Sequence, residues 1–357
     1  MIPEDAIDSL LQNALSRAVS TLSKKKSFDD SLDNLTETSC PQNMVDTEMN
    51  TSITDPLDHP PKDKRNYLDN PSVTPTALAH SLWSQVIRPY QDITIDATAG
   101  NGKDSLILAQ FLFPPKQKDH PQDNHPSLHA HAYSSPQLIC IDIQRKACEN
   151  TMQLLNQYVS KDIMEHNIRV LHQSHAPMPS LSPSSVGLIC YNLGYLPGMD
   201  DKTTCQTQMV TTLFSLTDST LLLRQGGLLS VMTYPGNGWK EYCAVKYFFE
   251  GLALFTSKRC DWRDFVDMIP NDHELQRQHE GMYETQKNAT RKDNDPQDKN
   301  METQPWNGQT DSIRQSVKMG LERIKEQGYE KQTWRVFDHR PLGRPLSPIL
   351  FTAMRIK

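Results

Sequence analysis

The residues best suited to chemistry fall in three short segments that lie far apart in the chain. The first is Asp96-Ala97-Thr98-Ala99-Gly100-Asn101-Gly102-Lys103-Asp104, which directly follows the apolar run Ile93-Thr94-Ile95. Gly100 and Gly102 allow a tight turn and a close approach of backbone to ligand, because no Cβ stands in the way. The N–H groups opening the next helix can hold a carboxylate or a phosphate. A phosphate loop of the form G-x-x-x-x-G-K-[ST] is absent, and Ser105 occupies the place of the third glycine in G-x-G-x-x-G. A leading acid with G-x-G fits S-adenosylmethionine better, a ligand with an amino-acid head, a sulfonium and a ribose. Asp96 or Asp104 would then face its ammonium, directly or through water. The alternative is an ordinary strand–turn–helix that binds nothing.

The second segment is Ile141-Asp142-Ile143-Gln144. An acid at the end of the second strand of a nucleoside-binding sheet accepts the ribose hydroxyls, and Gln144 could touch the ribose or the adenine. Asp142 could instead only cap the next helix. The third is Tyr191-Asn192-Leu193-Gly194-Tyr195, whose Asn-x-x-Tyr resembles the Asn-Pro-Pro-Tyr box of amine-directed methyltransferases. The Asn192 side-chain oxygen and the Leu193 carbonyl can accept the N–H groups of an amine, aiming its lone pair at a methyl donor. Tyr195 can stack on a base. Ser174-His175 stands after a further strand, where His175 could meet the adenine or relay a proton, or be a loop histidine with no role. Thr211 reads as a helix cap or a substrate contact, and Tyr234 as lining of a substrate pocket. Arg340 and Arg344 could bind phosphates or form a solvated basic loop.

The elements that would position these residues alternate along the chain. Strands are expected at 93–96, 138–142, 168–171, 186–191 and 228–234, with two more at 334–337 and 349–354. Helices are expected from Pro75, over 103–113, 145–159 and 207–224 (stopped by Gly226-Gly227), over 239–254, and over 311–327. Strands alternating with helices predict an α/β fold with a mainly parallel, seven-stranded sheet and helices on both faces. Residues 1–72 are rich in Ser, Thr, Asp, Asn and Pro and read as a disordered extension, apart from a helical spacing over Ile7–Leu22. Residues 73–357 would form the folded domain, with insertions at 114–136 and about 262–330. Residues from about 266 to 310 lack periodicity and read as mostly disordered.

Of the 357 residues, 36% are hydrophobic and the formal net charge is −6, so no global basic field advertises nucleic acid. Seven cysteines, an odd number with no C-x-x-C pair, read as buried free thiols rather than disulfides or a zinc site, and no metal is expected. No apolar run approaches the roughly 20 residues that span a bilayer. A soluble intracellular protein is expected, cytoplasmic by default, with plastid or mitochondrion as alternatives.

Taken together the motifs are similar to those of one family, the bacterial and plant-type rRNA methylase family, whose bacterial members are tRNA methyltransferases for the wobble base. The resemblance rests on D-A-T-x-G-N-G-x-D at Asp96–Asp104, I-D-I-Q at Ile141–Gln144, Ser174-His175, N-L-G-Y-L-P-G at Asn192–Gly198, Asp201-Lys202, Thr211, and R-P-L-S-P from Arg344. It covers about residues 73–260 and 330–357. It implies a class I methyltransferase fold, S-adenosyl-L-methionine as cofactor, tRNA (anticodon region) as partner and, in some members, a homodimer. The implied reaction is methylation of the exocyclic amine of 5-aminomethyluridine, often 2-thiolated. On this resemblance the cofactor-binding residues are Asp96, Thr98, Gly100, Asn101, Gly102, Asp104, Asp142, Gln144, Ser174, His175, Asn192, Leu193 and Gly194. Asn192, Tyr195 and His175 act on the acceptor, while Lys202, Thr211, Tyr234, Arg340 and Arg344 meet the RNA with Tyr195. The chain departs from the family pattern at Gly198-Met199-Asp200-Asp201-Lys202, one residue longer than G-G-D-K. It departs again at Tyr234–Trp239, which lacks the His-Pro of Y-x-G-H-P-x-G. These departures keep open a methyltransferase acting on rRNA, protein or a small molecule, and a non-catalytic binding protein.

Overall fold

The run Ile93-Thr94-Ile95-Asp96 forms β1 (Ile93–Asp96), fully buried as its β-branched composition favours. The computed structural model describes residues 74–115, 136–194, 208–257, 261–290, 312–328, 332–341 and 346–357. The chain divides into two units, residues 1–81 and 82–357. In the first, residues 74–81 are described. They open helix α1 (Pro75–Val86), with Pro75 in the first helical position and Thr74 Oγ1 accepting the Ala77 N–H at 3.1 Å. The expected N-terminal extension, Ile7–Leu22 included, and most of the 114–136 insertion lie outside the described residues.

In the second unit β1 is followed by α2 (Lys103–Leu112), β2 (Gln137–Asp142), α3 (Arg145–Tyr158), α4 (Lys161–Asn167), β3 (Ile168–His172) and β4 (Val186–Asn192). Then come α5 (Met209–Leu222), β5 (Leu223–Thr233), α6 (Trp239–Ser257), α7 (Trp262–Met268), α8 (Asp272–Thr290), α9 (Ser312–Glu326), β6 (Trp334–His339) and β7 (Ile349–Arg355). All seven strands form one sheet in the order β3-β2-β1-β4-β5-β7-β6. Strands β1 to β5 are parallel, and β7 runs antiparallel between β5 and β6. This is the expected Rossmann-like α/β fold with a mainly parallel seven-stranded sheet.

Alternation along the strands sorts side chains between the two faces. Ile95, Ile141, Ile189, Tyr191, Val231 and Phe351 join one cluster with residues of α5, α6, α7 and α9. The intervening Thr94, Asp96, Cys140 and Cys190 are buried and absent from that cluster. Helices α2, α3 and α4 pack on one another, as do α5, α6, α7 and α9. Right-handed crossovers place these two groups on opposite faces. In α9, Ile313, Val317, Gly320, Leu321 and Ile324 make a buried stripe of helical period.

The fold corrects the sequence reading in three places. The Gly226-Gly227 pair does not stop the helix. Helix α5 ends at Leu222, and the pair lies inside β5, where the β4–β5 register shifts and Gly226 has φ +72°. Residues 266–290, expected to be disordered, lie in α7 and α8 apart from the short junction between them. Few apolar residues suffice there, because Trp262, Val266, Ile269 and Leu275 are all buried against the main core. The start of α8 carries a reciprocal cap: Asn271 Oδ1 accepts the Glu274 N–H at 3.0 Å, and Glu274 Oε2 accepts the Asn271 N–H at 3.1 Å. The short helix α4 is a further element that hydrophobic periodicity did not signal.

Candidate active site

Strand order reverses between β1 and β4, the place at which open α/β sheets bind ligands along their carboxyl edge. After β1 the backbone turns at Gly100 (φ +54°) and Gly102 (φ +81°), conformations that favour glycine. Gly102 also lies against α3, where an added Cβ would stand 2.8 Å from the Thr151 Cα.

This turn is bonded to both neighbouring strand ends. On one side the Gly100 N–H donates to Asp142 Oδ2 at 2.9 Å, and Asp142 Oδ1 accepts the Gln144 N–H at 2.8 Å. On the other, Thr98 Oγ1 accepts the Asn192 N–H at 2.7 Å, and Asn192 Nδ2 donates to Asp104 Oδ2 at 3.3 Å. Tyr234, just past β5, donates its hydroxyl to Asn192 Oδ1 at 2.7 Å. The amide orientation of Asn192 follows, since an ionised carboxylate only accepts and must face the NH₂. Gly194 (φ +147°) passes over the Tyr234 ring, which a Cβ would approach to 3.3 Å. The three segments singled out in the sequence are thus one constellation, joined bond to bond.

The electrostatics at this edge are uneven. Asp96 is buried and accepts from Ser105 Oγ at 2.6 Å and the Thr98 N–H at 3.2 Å. Burial, with the neighbouring Asp104 charge, pushes its carboxyl up to about 7. Burial also raises Asp142, against the backbone bonds from Gln144 and Gly100 that favour its charge. Among the described residues no Lys or Arg pairs with Asp96 or Asp142. His175 is half-buried with its ring edge-on to Tyr191, and burial drops it to about 4, so it is neutral near pH 7. Two buried side-chain atoms here have no hydrogen-bond partner among the described residues: Gln144 Oε1, after β2, and His175 Nε2, after β3.

Other expected residues have structural bonds. Asn101 Oδ1 accepts from Asn150 Nδ2 at 2.9 Å, and Ser174 Oγ from the Ala176 N–H at 3.1 Å. Thr211 Oγ1 donates to the Gln208 carbonyl at 2.9 Å, bonding to the residue that precedes α5. Leu193 is buried in the core. Arg340 follows β6, at the far edge of the sheet, and pairs with Asp338; it does not join the Asn192 constellation. Tyr195, Lys202 and Arg344 lie outside the described residues. The sequence reading passed over Ile143, which is 65% exposed between Asp142 and Gln144. An exposed apolar residue between two ligand-type residues is the signal that would have found it.

Among the described residues no group of three His, Cys, Asp or Glu could hold a metal, and no helix is long and apolar enough to cross a membrane. Cys140, Cys148, Cys190 and Cys243 are buried free thiols, as expected, while Cys40, Cys205 and Cys260 lie outside the described residues.

A family model described as "Putative rRNA methylase" matches residues 138–264, from β2 into α7. The chain is 33% identical over 183 residues to an Arabidopsis thaliana protein named "tRNA (mnm(5)s(2)U34)-methyltransferase, chloroplastic". That match covers 50% of this chain and 60% of the relative's length. Among solved structures, a Clostridium thermocellum protein described as a "putative rRNA-methylase" is 18% identical with a TM-score of 0.45, covering 79% of this chain and 97% of that one. A Streptococcus mutans protein described as "a putative methyltransferase", solved with SAH, is 20% identical with a TM-score of 0.42, covering 79% and 98%. The family resemblance read from the motifs is borne out by the family model and by the Arabidopsis relative.

Proposed function

We propose that this chain is an S-adenosylmethionine-dependent methyltransferase acting on a nitrogen of RNA, specifically the exocyclic amine of 5-aminomethyl(2-thio)uridine at the tRNA wobble position. The observation that carries the reading is the direct bonding of Asn192 to the glycine turn through Thr98 and Asp104. An acceptor loop and a ligand turn that share hydrogen bonds can bring two reacting atoms together. The identity of the Arabidopsis relative supports the RNA substrate and the wobble position.

The residues fit the cofactor. The buried Asp96 and half-buried Asp142, paired with no Lys or Arg among the described residues, favour a ligand carrying positive charge and repel a phosphate. The orphaned Gln144 Oε1 and His175 Nε2 suit the hydrogen-bonding edge of an adenine, and Ile143 its face. When bound, S-adenosylmethionine supplies a methyl group made electrophilic by the sulfonium. In this reading Asp96 and Asp104 hold the ammonium, and the Gly100–Gly102 backbone holds the carboxylate. Asp142 keeps lone pairs for the ribose beyond those given to Gly100 and Gln144. Asn192, with its amide fixed by Asp104 and Tyr234, and the Leu193 carbonyl orient the amine. Tyr195 stacks on the base, and Lys202 with Arg344 meets the phosphates. His175 accepts a hydrogen bond here rather than relaying a proton, because a group titrating at about 4 is a weak base near pH 7.

Nucleoside mass spectrometry of tRNA from a deletion strain tests the acceptor. A rise of aminomethyluridine at the expense of methylaminomethyluridine is expected, and an unchanged ratio rejects it. The Tyr234–Trp239 turn, which departs from the family pattern, favours a second reading in which another acceptor is methylated. Labelled-methyl transfer to fractionated RNA and protein separates the two.

A further inference from the structure

Helix α8 lies beyond the stretch that matches the family model, yet it is bonded to the acceptor side of the site. Its contact is Trp239, the first residue of α6. The Trp239 indole N–H donates to the Leu275 carbonyl at 2.9 Å, and the His279 ring stacks on the indole at 4.9 Å between centroids, 20° from parallel. Trp239 is buried, and the turn that begins at Tyr234 immediately precedes it in the chain. The Tyr234 carbonyl accepts the N–H groups of Asn237 and Gly238, both at 2.9 Å, and the Gly238 carbonyl accepts the Tyr242 N–H. This closes the turn onto α6. At its other end, the Tyr234 side chain holds Asn192 Oδ1 and underlies Gly194.

We propose that α8 is a positioning element for the acceptor loop: by clamping Trp239 it fixes the Tyr234–Gly238 turn, and through Tyr234 it sets the amide of Asn192. Trp239 is the positioning residue, and it touches neither the cofactor nor the acceptor. The inference rests on the proposed function for its catalytic meaning, but the physical linkage exists in the free protein. Gly236 and Gly238 loosen the backbone of the turn, and a buried indole held by a carbonyl and a stacked ring restrains the end that enters α6. An imidazole whose Nε2 is buried without a partner among the described residues is a poor choice for stability alone, and stacking geometry is what it offers.

The test uses Trp239→Phe, which keeps an aromatic ring and removes the N–H, and His279→Phe, which keeps the stack. Hydrogen exchange on the full-length free protein should show Trp239→Phe raising exchange in 192–194 and 234–238, with 98–104 unchanged, and His279→Phe leaving all of these as in the parent. In turnover, Trp239→Phe should lower kcat about tenfold with cofactor affinity unchanged, and its effect should not add to that of Tyr234→Phe, since both break one linkage. Uniform exchange across the chain, or additive effects of the two variants, overturns the inference. Absence of methyl transfer by the parent protein would reject the proposed function while leaving the exchange result to decide this linkage.

Discussion

Two carboxylates separated by one short strand meet opposite fates. Asp92 stands before β1, at the amino edge of the sheet, and Asp96 ends it, at the carboxyl edge; both are buried. Asp92 is clamped by two guanidinium groups, with Arg88 Nε at 2.9 Å and Arg224 Nη2 at 2.7 Å, and takes the Arg88 backbone N–H at 2.8 Å as well. Gly187 leaves the space it needs, because a Cβ there would fall 2.4 Å from its Oδ2. Burial raises the Asp92 carboxyl, but the bonds from Arg224 and Arg88 outweigh it and hold the group below its ordinary range. Asp96 has a hydroxyl and an amide N–H and is pushed up to about 7. The lesson is that the amino edge completes its own charge balance, whereas the carboxyl edge holds a buried carboxylate with neutral donors, which suits the cationic ligand of the proposed function.

The comparison can be broken most forcefully at Asp92. Asp92→Asn should cost about 3–5 kcal/mol, because the buried end of Arg224 loses its counter-charge. Urea denaturation measures this, and a loss under about 1 kcal/mol would remove the structural role. At the other edge, Asn192→Ala should lower turnover roughly 100-fold, the scale of a misplaced reacting atom, with denaturation midpoint and cofactor affinity little changed. A drop in affinity as large as that in turnover would sink the assigned role. Asp142→Ala should weaken cofactor binding by roughly 1.5–3 kcal/mol in calorimetry, the worth of a charge-assisted hydrogen bond.

The smallest effect is in pH, and it has opposite signs at the two ends. Asp96 keeps its proton in the folded chain up to about pH 7 but loses it near its ordinary value when unfolded, so its contribution to stability falls as pH rises through that window. Asp92 contributes above its ordinary range and loses that contribution as pH falls through its depressed folded value. Asp96→Asn should therefore flatten the decline on the way to pH 7, while weakening cofactor binding. For the parent protein, affinity for a cationic cofactor should fall by about tenfold per pH unit below 7, as Asp96 takes up a proton. Calorimetry in buffers of different ionisation enthalpy would detect the proton released on binding, and equal affinity on both sides of pH 7 would contradict it.

Much of this was legible in the residues themselves. Local order dictated β1, α2, α3 and β4, since β-branched runs and amphipathic spacing act over a few residues, and Gly100 and Gly102 announced a turn that needs positive φ. The three site segments were identifiable because their chemistry is compact in sequence. Residues 266–290 were misread because their helices draw stability from a handful of buried contacts with a distant core, a term that no local window contains. Gly226-Gly227 was misread because the same pair can end a helix or bend a strand, and the β4 neighbour decides which.

What the chain alone determined is which residue types are available and which short elements they form, because backbone propensity and side-chain chemistry are local. Only the tertiary structure decided their partners. It placed Asn192 against Thr98 and Asp104 across more than eighty positions of sequence. It also gave Asp92 its arginines and left Asp96 with neutral donors. Solvent exclusion and strand order set those neighbours, and the neighbours set whether a buried carboxylate is held below its ordinary range or pushed above it.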